Sequence, residues 1–403
     1  MLKKKNILHL LSWFPTPNDP TAGNFCLKQI LSVSPMANSV ILSAFTDTRL
    51  SQKTQIEVID YKSFKHILIH VSPSKFPIDK VARVLNKWRI FHAYNKGLKY
   101  VKKNYFIPDL LHLHVTLPVG KVAYYWWKRY KLPYILTEHW SIFLPQNNAA
   151  MTSQTLKNIQ KIANHAQMIL PVSEILKESM QQYGISAPFS VIPNVVNTEI
   201  FIGQQNQPHS LKRILHISTL SDEVKNFSGI LRVILQLSKK RADFVLDVVH
   251  DYPKPEFEKY VLDHNLQDFV IFHGKREESE VAQFYAQSDF FVSFSNFETQ
   301  GVVLLESFAC GRPVIATQVG GVPEIVNAER GILIPAKDED ALLKSVEYML
   351  DNYETFDKDK IRDYACRNFS REVIGAQINA VYEKVLGKKN KHHPMILRRI
   401  FDT

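Results

Sequence analysis

The sequence is poor in cysteine and contains no long apolar run. Cys26, Cys310 and Cys366 are the only cysteines in 403 residues, and their spacing matches no CxxC or Cys/His zinc motif. This argues against a disulfide framework and for a reducing compartment. No stretch of about 18 uninterrupted apolar residues is present, so we predict no membrane-spanning helix. No G-x-G-x-x-G follows a predicted strand, which argues against a dinucleotide oxidoreductase.

The first residues, MLKKKNILHLLSWF, place three lysines before an apolar stretch and so resemble a secretion signal. The apolar stretch is short, His9 and Ser12 interrupt it, and no small-residue cleavage site follows. We therefore interpret residues 6–12 as a first β-strand.

Acidic residues are scarce in the first half of the chain. Residues 1–195 contain 24 Lys/Arg against 9 Asp/Glu, a net charge of +15, whereas residues 196–403 contain 26 against 30. The basic half could attract nucleic acid or an anionic membrane surface. No nucleic-acid motif accompanies it, so we expect no nucleic-acid partner.

Short apolar runs alternate with helical stretches along the chain. Alternating βα elements predict mostly parallel, doubly wound sheets. The pattern restarts near residues 193–200, which predicts two α/β domains, over residues 1–195 and 196–370. A helix over 371–388 and a basic tail over 389–403 follow. Ligands of such sheets bind at the carboxyl ends of the strands, so we expect a cleft between the two domains.

The segment FFVSFSNFETQGVVLLESFACGRPVIATQVGGVPEIVNAERGILIP, residues 290–335, is the most informative part of the sequence. A buried strand leads to Glu298, and a helix begins near Gly301 and ends at Gly311. The free N–H groups and dipole of a helix start favour an anion. Glu298 and Glu306 flank this start, where they suit hydroxyl groups on either side of a phosphate. The implied ligand is a nucleotide-sugar.

The string from Glu298-x7-Glu306 through Gly320-Gly321 and Glu324 resembles the donor-site signature of family 4 glycosyltransferases, the glycosyl transferases group 1 of bacterial polysaccharide biosynthesis. The resemblance implies the GT-B fold, in which two Rossmann-like domains face a cleft. It also implies a retaining, metal-independent transfer from a UDP- or GDP-linked sugar, with no other cofactor. We expect no metal ligands, and no DxD motif stands beside the donor loop.

The resemblance assigns roles to individual residues. Glu298, His139 and Lys225 are the predicted catalytic residues: the carboxylate orients the sugar, the imidazole contacts it or its leaving oxygen, and the lysine neutralises the diphosphate. The predicted donor-binding residues are Gly23, Gly274, Gly301, Val302 and Glu306. Alternatives remain for two of these, because Gly23 also fits a plain Pro/Gly turn and His139 fits a structural histidine.

The sequence departs from the family pattern at one cation. Thr219 stands where an arginine is expected, and Lys225 follows one residue later than usual. Losing a bidentate arginine beside a diphosphate should matter. Either Lys225 and the helix dipole suffice, or a basic residue from elsewhere compensates, with Arg213, Lys275 and Arg276 as candidates. Otherwise the chain could be an inactive relative.

A long basic helix is predicted from Ile78 to about residue 103. Val84 and Trp88 belong to its apolar stripe, and lysines and arginines surround that stripe. The stripe could face the core, or it could lie on an anionic membrane. The basic tail could likewise be disordered or contact a membrane.

Together these features predict a cytoplasmic glycosyltransferase, peripheral to the inner face of the membrane. Its acceptor would be a saccharide or a lipid-linked saccharide in surface polysaccharide or glycolipid biosynthesis. Two alternatives stay open at this point: a GT-B nucleotide-sugar epimerase, and a non-catalytic scaffold that binds sugar nucleotides.

Overall fold

The computed structural model describes residues 4–14, 22–149, 151–203, 210–252 and 254–389. The basic tail predicted over 389–403 therefore lies outside the described residues from 390 onward. Within the described residues, no helix is both long enough and apolar enough to span a bilayer.

The first domain is built on a seven-stranded sheet. Its strands are β1 (Lys5–Leu11), β2 (Ala37–Thr46), β3 (Thr54–Asp60), β4 (Lys65–Val71), β5 (Leu110–His114), β6 (Tyr134–Glu138) and β7 (Ile169–Pro171). Their order is β3-β4-β2-β1-β5-β6-β7, and every pairing is parallel except that of β3 with β4. The prediction of a mostly parallel sheet is thus confirmed, although the antiparallel edge strand β3 was not foreseen.

Five helices connect and cover these strands: α1 (Asn24–Val33), α2 (Asp79–Asn104), α3 (Gly120–Tyr130), α4 (Ser153–Ala163) and α5 (Glu174–Gln182). The helix α1 begins directly after Gly23, which takes a left-handed φ of 69° as the N-cap residue. A side chain at Gly23 would place its Cβ 2.3 Å from the carbonyl oxygen of Trp13, so only glycine fits.

The second domain has a six-stranded, wholly parallel sheet of order β10-β9-β8-β11-β12-β13. The strands are β8 (Lys212–Ser218), β9 (Phe244–His250), β10 (Val270–Gly274), β11 (Phe290–Ser293), β12 (Val314–Thr317) and β13 (Gly331–Ile334). Its helices are α6 (Asp222–Lys225), α7 (Phe227–Ser238), α8 (Pro255–Asp263), α9 (Glu278–Gln287), α10 (Val302–Ala309), α11 (Val322–Ile325), α12 (Glu339–Asn352) and α13 (Lys358–Phe369). The strands are near-continuous apolar runs because helices cover both faces of the sheet.

The hydrophobic cores of the two domains separate between two adjacent residues. Val195 packs with the first domain, whereas Val196 packs with Phe201 and the core of the second. The last helix, α14 (Arg371–Lys389), returns to the first domain and packs on α1. Gly375 permits this close approach, because a Cβ there would lie 2.1 Å from the carbonyl oxygen of Ser32.

Candidate active site

The helix α10 starts at the carboxyl end of the β11 strand, in the cleft between the domains. Gly301 is its N-cap residue, with φ at 85°, and within the part of the chain that the structure describes no side chain caps the helix. The predicted donor-binding residues Gly301 and Val302 therefore form an uncapped helix start whose N–H groups are free to bind an anion.

Glu298 and Lys225 meet in this loop as an ion pair. The Ser295 hydroxyl also donates to the Glu298 carboxylate, at 3.2 Å. Asn296 fixes the short helix α6 that carries Lys225, because its backbone N–H donates to the Val224 carbonyl and its side-chain amide to the Glu223 carbonyl. The structure thus brings together two of the three predicted catalytic residues.

Glu306 lies one turn further along α10 and is almost fully buried. Its partner is Lys28 of the first domain, whose Nζ lies 2.9 Å from Oε1 of Glu306 and 2.9 Å from Oε1 of Glu278. Burial opposes the charge of Lys28, but the two carboxylates outweigh it and raise the pKa of its ammonium group. Lys28 is therefore a buried, permanently charged link between the domains, which the sequence alone did not reveal.

Glu324 makes a second contact between the domains. Its carboxylate accepts hydrogen bonds of 2.9 Å from the backbone N–H groups of Glu174 and Ile175, at the start of α5. A carboxylate at a helix start is favoured by the helix dipole. Glu324, which the sequence grouped with the donor signature, therefore caps a helix of the first domain.

The glycine pair before Glu324 fits tightly under the donor loop. A Cβ on Gly320 would lie 1.6 Å from the carbonyl oxygen of Glu298, and one on Gly321 would lie 2.4 Å from that of Thr299. These glycines let the loop rest directly on the following turn. The position of Glu298 thus depends on residues more than twenty positions later in the chain.

Two further predicted donor-binding glycines lie at the rims of the cleft. Gly23 starts α1, the helix that carries Lys28 to Glu306. Gly274 ends β10 with φ at 66°, and the space where its side chain would stand contains no atom within 4 Å. The surface at Gly274 is therefore open to close approach by a ligand.

His139, the third predicted catalytic residue, follows the β6 strand of the first domain and is buried against Phe25, with 4.4 Å between ring centroids. Burial lowers the pKa of His139 to about 3, with the Asn194 side chain partly opposing the shift. The imidazole is therefore neutral near pH 7, so that it can accept or donate a hydrogen bond but carries no charge.

The neighbouring Glu138 is fully buried and accepts three backbone N–H hydrogen bonds of 3.0 Å, from Thr116, His139 and Trp140. Burial raises the pKa of this carboxyl group, although these donors and the Thr116 hydroxyl oppose the rise. Glu138 therefore fixes the backbone at His139 and makes no hydrogen bond to the imidazole among the described residues.

Histidines form a buried cluster beside His139. His9 Nδ1 lies 3.2 Å from His114 Nε2, and both ring nitrogens of His112 are bonded, to the Tyr382 and Thr137 hydroxyl groups at 2.7 Å. Burial lowers the pKa of His9 to about 3 and holds those of His112 and His114 well below the usual range. The cluster is thus a packed, uncharged network on the central strands β1 and β5 of the first sheet.

Two groups in this cluster could hold a metal ion by ligand type. They are His9, His112 and His114, and Cys26, His114 and His139, with the ligand atoms of each group within 4.8 Å of one another. In the first group the hydrogen bonds of His112 use both of its nitrogens. In the second, burial raises the pKa of the Cys26 thiol, so the protonated form prevails. The expectation of metal-independent chemistry stays a prediction.

The structure distinguishes among the cations proposed to replace the expected arginine. Thr219 is exposed just past β8. Arg213 lies near the opposite, amino end of β8 and pairs with Asp247 at 2.7 Å, so the proposal that it serves the cleft was wrong. Lys275 and Arg276 are exposed directly after Gly274, on the cleft edge. Lys28, which comes from the other domain, is a further cation beside α10.

The two domains match separate models of known protein families. Residues 55–200 match the model described as Glycosyltransferase Family 4, and residues 211–352 match the model described as Glycosyl transferases group 1. Between them, the two matches cover most of the chain.

Curated relatives carry related names. The chain is 23% identical over 335 residues to an alpha-monoglucosyldiacylglycerol synthase of Streptococcus pneumoniae, covering 78% of this chain and 75% of that protein. It is 31% identical over 183 residues to the N-acetyl-alpha-D-glucosaminyl L-malate synthase of Bacillus anthracis, covering 44% of this chain and 46% of that protein.

Solved structures share the fold over nearly the whole chain. Sucrose-phosphate synthase from Thermosynechococcus elongatus superposes with a TM-score of 0.77 at 20% identity, covering 95% of this chain and all of that one. The Anabaena protein HepE, solved with UDP-glucose, gives a TM-score of 0.69 at 18% identity, covering 94% of this chain and all of that one.

Fold and site together define a glycosyltransferase of the GT-B class, with two α/β domains around a cleft. The chain belongs to the family 4, or group 1, glycosyltransferases. It is a transferase that moves sugar in glycolipid or polysaccharide biosynthesis, and the comparisons do not favour the epimerase and scaffold alternatives.

Proposed function

We propose that this enzyme transfers a sugar, with retention at the anomeric carbon, from a UDP- or GDP-linked donor to a hydroxyl group of a saccharide or lipid-linked saccharide. The observation that carries the proposal is the uncapped start of α10 between two carboxylates, Glu298 and Glu306, each paired with a lysine.

In this proposal the donor lies along the start of α10. The diphosphate accepts hydrogen bonds from the N–H groups at Gly301 and Val302. The Glu306 carboxylate accepts hydrogen bonds from the ribose hydroxyls, and the Glu298 carboxylate accepts them from the sugar hydroxyls. As the glycosidic bond breaks, negative charge grows on the diphosphate, and Lys225 and the helix dipole stabilise it. Gly274 lies beside the base.

In this proposal the first domain forms the side of the cleft opposite the start of α10. Neutral His139 hydrogen-bonds the transferred sugar or its leaving oxygen, and Gly23 lets the loop after β1 approach the diphosphate. The departing phosphate oxygen itself accepts the proton of the acceptor hydroxyl, so no separate base is required. No cofactor besides the nucleotide-sugar takes part.

We further propose that the enzyme works in the cytoplasm at an anionic membrane surface. The N-terminal half carries the positive charge, and the helix α2 exposes Val84 and Trp88, which are 62% and 60% accessible. Their exposure excludes the interpretation of this part of the stripe as core-facing. Names of relatives point the same way, since two are alpha-monoglucosyldiacylglycerol synthases.

Thermal melting with an excess of UDP, GDP or NAD tests the proposal. A ligand that binds only the native state raises the melting temperature. At a hundredfold excess over Kd, it increases the free energy of unfolding by about 2.7 kcal/mol. We expect stabilisation by UDP or GDP and none by NAD. No shift with either nucleotide would contradict the proposal and would mean that the change at Thr219 has cost donor binding.

A further inference from the structure

An apolar cavity of about 520 Å³ opens at the carboxyl edge of the first sheet. Its walls are the ends of β1 and β2, the segment before α3, and one face of α2. Phe14, Ala44, Phe91 and Val119 are among the side chains that line it. The cavity is large enough for part of a small ligand and lies outside the donor site described above.

Three polar side chains of the cavity wall, those of Ser12, Asn86 and Tyr94, have hydrogen-bond partners within the protein. The Ser12 hydroxyl donates to the Val115 carbonyl at 2.8 Å and accepts from the Val119 N–H at 3.2 Å. The Tyr94 hydroxyl accepts from the Ala44 N–H, and the Asn86 carbonyl accepts from the Ser74 N–H. A sugar would need several convergent polar partners, whereas a hydrocarbon chain needs none, so the wall favours a hydrocarbon.

The mouth of the cavity is positively charged. Lys87 of α2 and Lys121 of α3 are both exposed at its rim, and among the described residues neither forms an ion pair. Two free lysines beside an apolar cavity are complementary to a ligand with an anionic head and an apolar chain.

The cavity continues into the exposed stripe of α2. Phe91 lines the cavity and lies three residues after Trp88 and seven after Val84, the spacing that puts helix residues on one face. The exposed apolar stripe and the cavity wall therefore lie on the same face of α2.

The cavity also adjoins the predicted reaction site. Between Ser12 and Phe14, Trp13 packs edge-on against Trp140, next to His139, with 6.0 Å between ring centroids. The same indole contacts Phe25, which in turn packs on the His139 ring. Trp13 and Phe25 therefore link the segment that lines the cavity to the His139 ring.

From these features we propose that the cavity binds the hydrocarbon chain of the acceptor, and that Lys87 and Lys121 bind the phosphate at the head of that chain. The acceptor is then a phosphate-bearing lipid. This inference rests on the proposed function, since it identifies the acceptor class of that same reaction.

Calorimetric titration with alkyl phosphates below their micelle concentrations tests the proposal. We expect decyl phosphate to bind more tightly than hexyl phosphate, by about fourfold per added CH₂ group until the cavity is full, and inorganic phosphate to bind much more weakly. Equal binding of the two alkyl phosphates would overturn the assignment of the cavity.

Variants locate the binding. Thr46→Trp places a large side chain at the exposed mouth of the cavity, and Ala44→Trp fills its interior. Each variant should weaken the binding of decyl phosphate at least tenfold. The double variant Lys87→Gln with Lys121→Gln should weaken the binding of decyl phosphate but not that of 1-decanol. Val58→Ser, at an exposed valine of β3 that does not line the cavity, is the matched control and should leave the binding of both ligands unchanged. Parental affinity in Thr46→Trp and Ala44→Trp would overturn the proposal.

Melting with UDP and GDP separates this proposal from the proposed function. Thr46→Trp should keep the nucleotide-induced rise in melting temperature of the parent but no longer bind decyl phosphate. This result would support both the proposed function and the assignment of the cavity. Decyl phosphate binding to a parent that neither nucleotide stabilises would contradict the proposed donor reaction, and the acceptor assignment of the cavity with it.

Discussion

The two domains face one cleft, but the side chains that they present to it differ in charge. On the edge of the second domain, carboxylates are matched by lysines: Glu298 by Lys225, and Glu306 by Lys28 from across the cleft. On the edge of the first domain the titratable groups include buried neutral histidines and the buried carboxyl group of Glu138, which backbone N–H groups hold. Charged side chains are thus concentrated around the start of α10, whereas the opposite wall presents mainly neutral groups and contributes one charged side chain, Lys28, to that region.

The largest effect on catalysis should come from substitution of Glu298 or Lys225, the ion pair beside the start of α10. We expect Glu298→Gln and Lys225→Met to lower kcat by roughly 10²- to 10³-fold, because each removes a group that contacts developing charge or the transferred sugar. The measurement is nucleotide release from a nucleotide-sugar. Glu329→Gln, at an exposed acid, is the control; equal rates for all three variants would contradict the assignment.

The next effect concerns donor affinity at Glu306. Glu306→Ala should weaken nucleotide binding by about 10- to 100-fold, since it removes charged hydrogen bonds to the ribose hydroxyls. Titration calorimetry with the nucleotide measures this. Glu278→Ala is the matched control, because it also removes a partner of Lys28 but lies outside the predicted ribose site. Unchanged affinity in Glu306→Ala would show the ribose assignment to be wrong.

The buried neutral histidines of the first domain should make the stability of the protein sensitive to acid. Burial lowers the pKa of His9 and His139 to about 3 and that of His66 to about 4, whereas an unfolded histidine titrates near 6.5. Below pH about 6.5 the unfolded chain therefore binds more protons. The free energy of unfolding should fall by up to about 1.4 kcal/mol per pH unit per histidine, until the folded pKa is reached.

Denaturant unfolding between pH 7.5 and pH 5 checks this dependence. His66→Phe is the informative variant, because His66 is buried beside the ring of Phe14 and has an unpartnered ring nitrogen. We expect a smaller loss of stability on acidification than in the parent. An identical pH slope would contradict the account of His66 as a buried neutral group.

The smallest effect should appear where the domains touch at Glu324. Glu324→Ala removes the acceptor for the Glu174 and Ile175 N–H groups and should cost about 1 kcal/mol, as loss of a helix cap does. Hydrogen exchange at the first turn of α5 should become faster. The exposed Glu174→Ala variant serves as control, and unchanged exchange in Glu324→Ala would mean that the cap does not stabilise the helix in solution.

Much of the fold follows from local patterns in the sequence. Apolar runs located the buried parallel strands, and glycines located the ends of helices. The strand β3 was missed because it lies at a sheet edge, where Ile56 and Val58 alternate with exposed polar residues and form no apolar run. Its period-two pattern was the available signal.

The site divides in a similar way. Glu298, Gly301 and Glu306 lie within one short segment, so their spacing revealed the helix start. Lys28 and Glu324 act on partners about 280 and 150 residues away, and no local spacing encodes such pairs. The role of Glu138 likewise depends on a turn that only the folded backbone forms.

Hydrogen exchange of the start of α10 tests the central claim most directly. The account predicts that UDP or GDP slows exchange in a peptide spanning Gly301 to Leu304, because the diphosphate accepts hydrogen bonds from those N–H groups. Glu306→Ala should reduce this protection at a fixed nucleotide concentration. Protection confined to other parts of the chain, with none at α10, would contradict the claim that this helix start binds the donor.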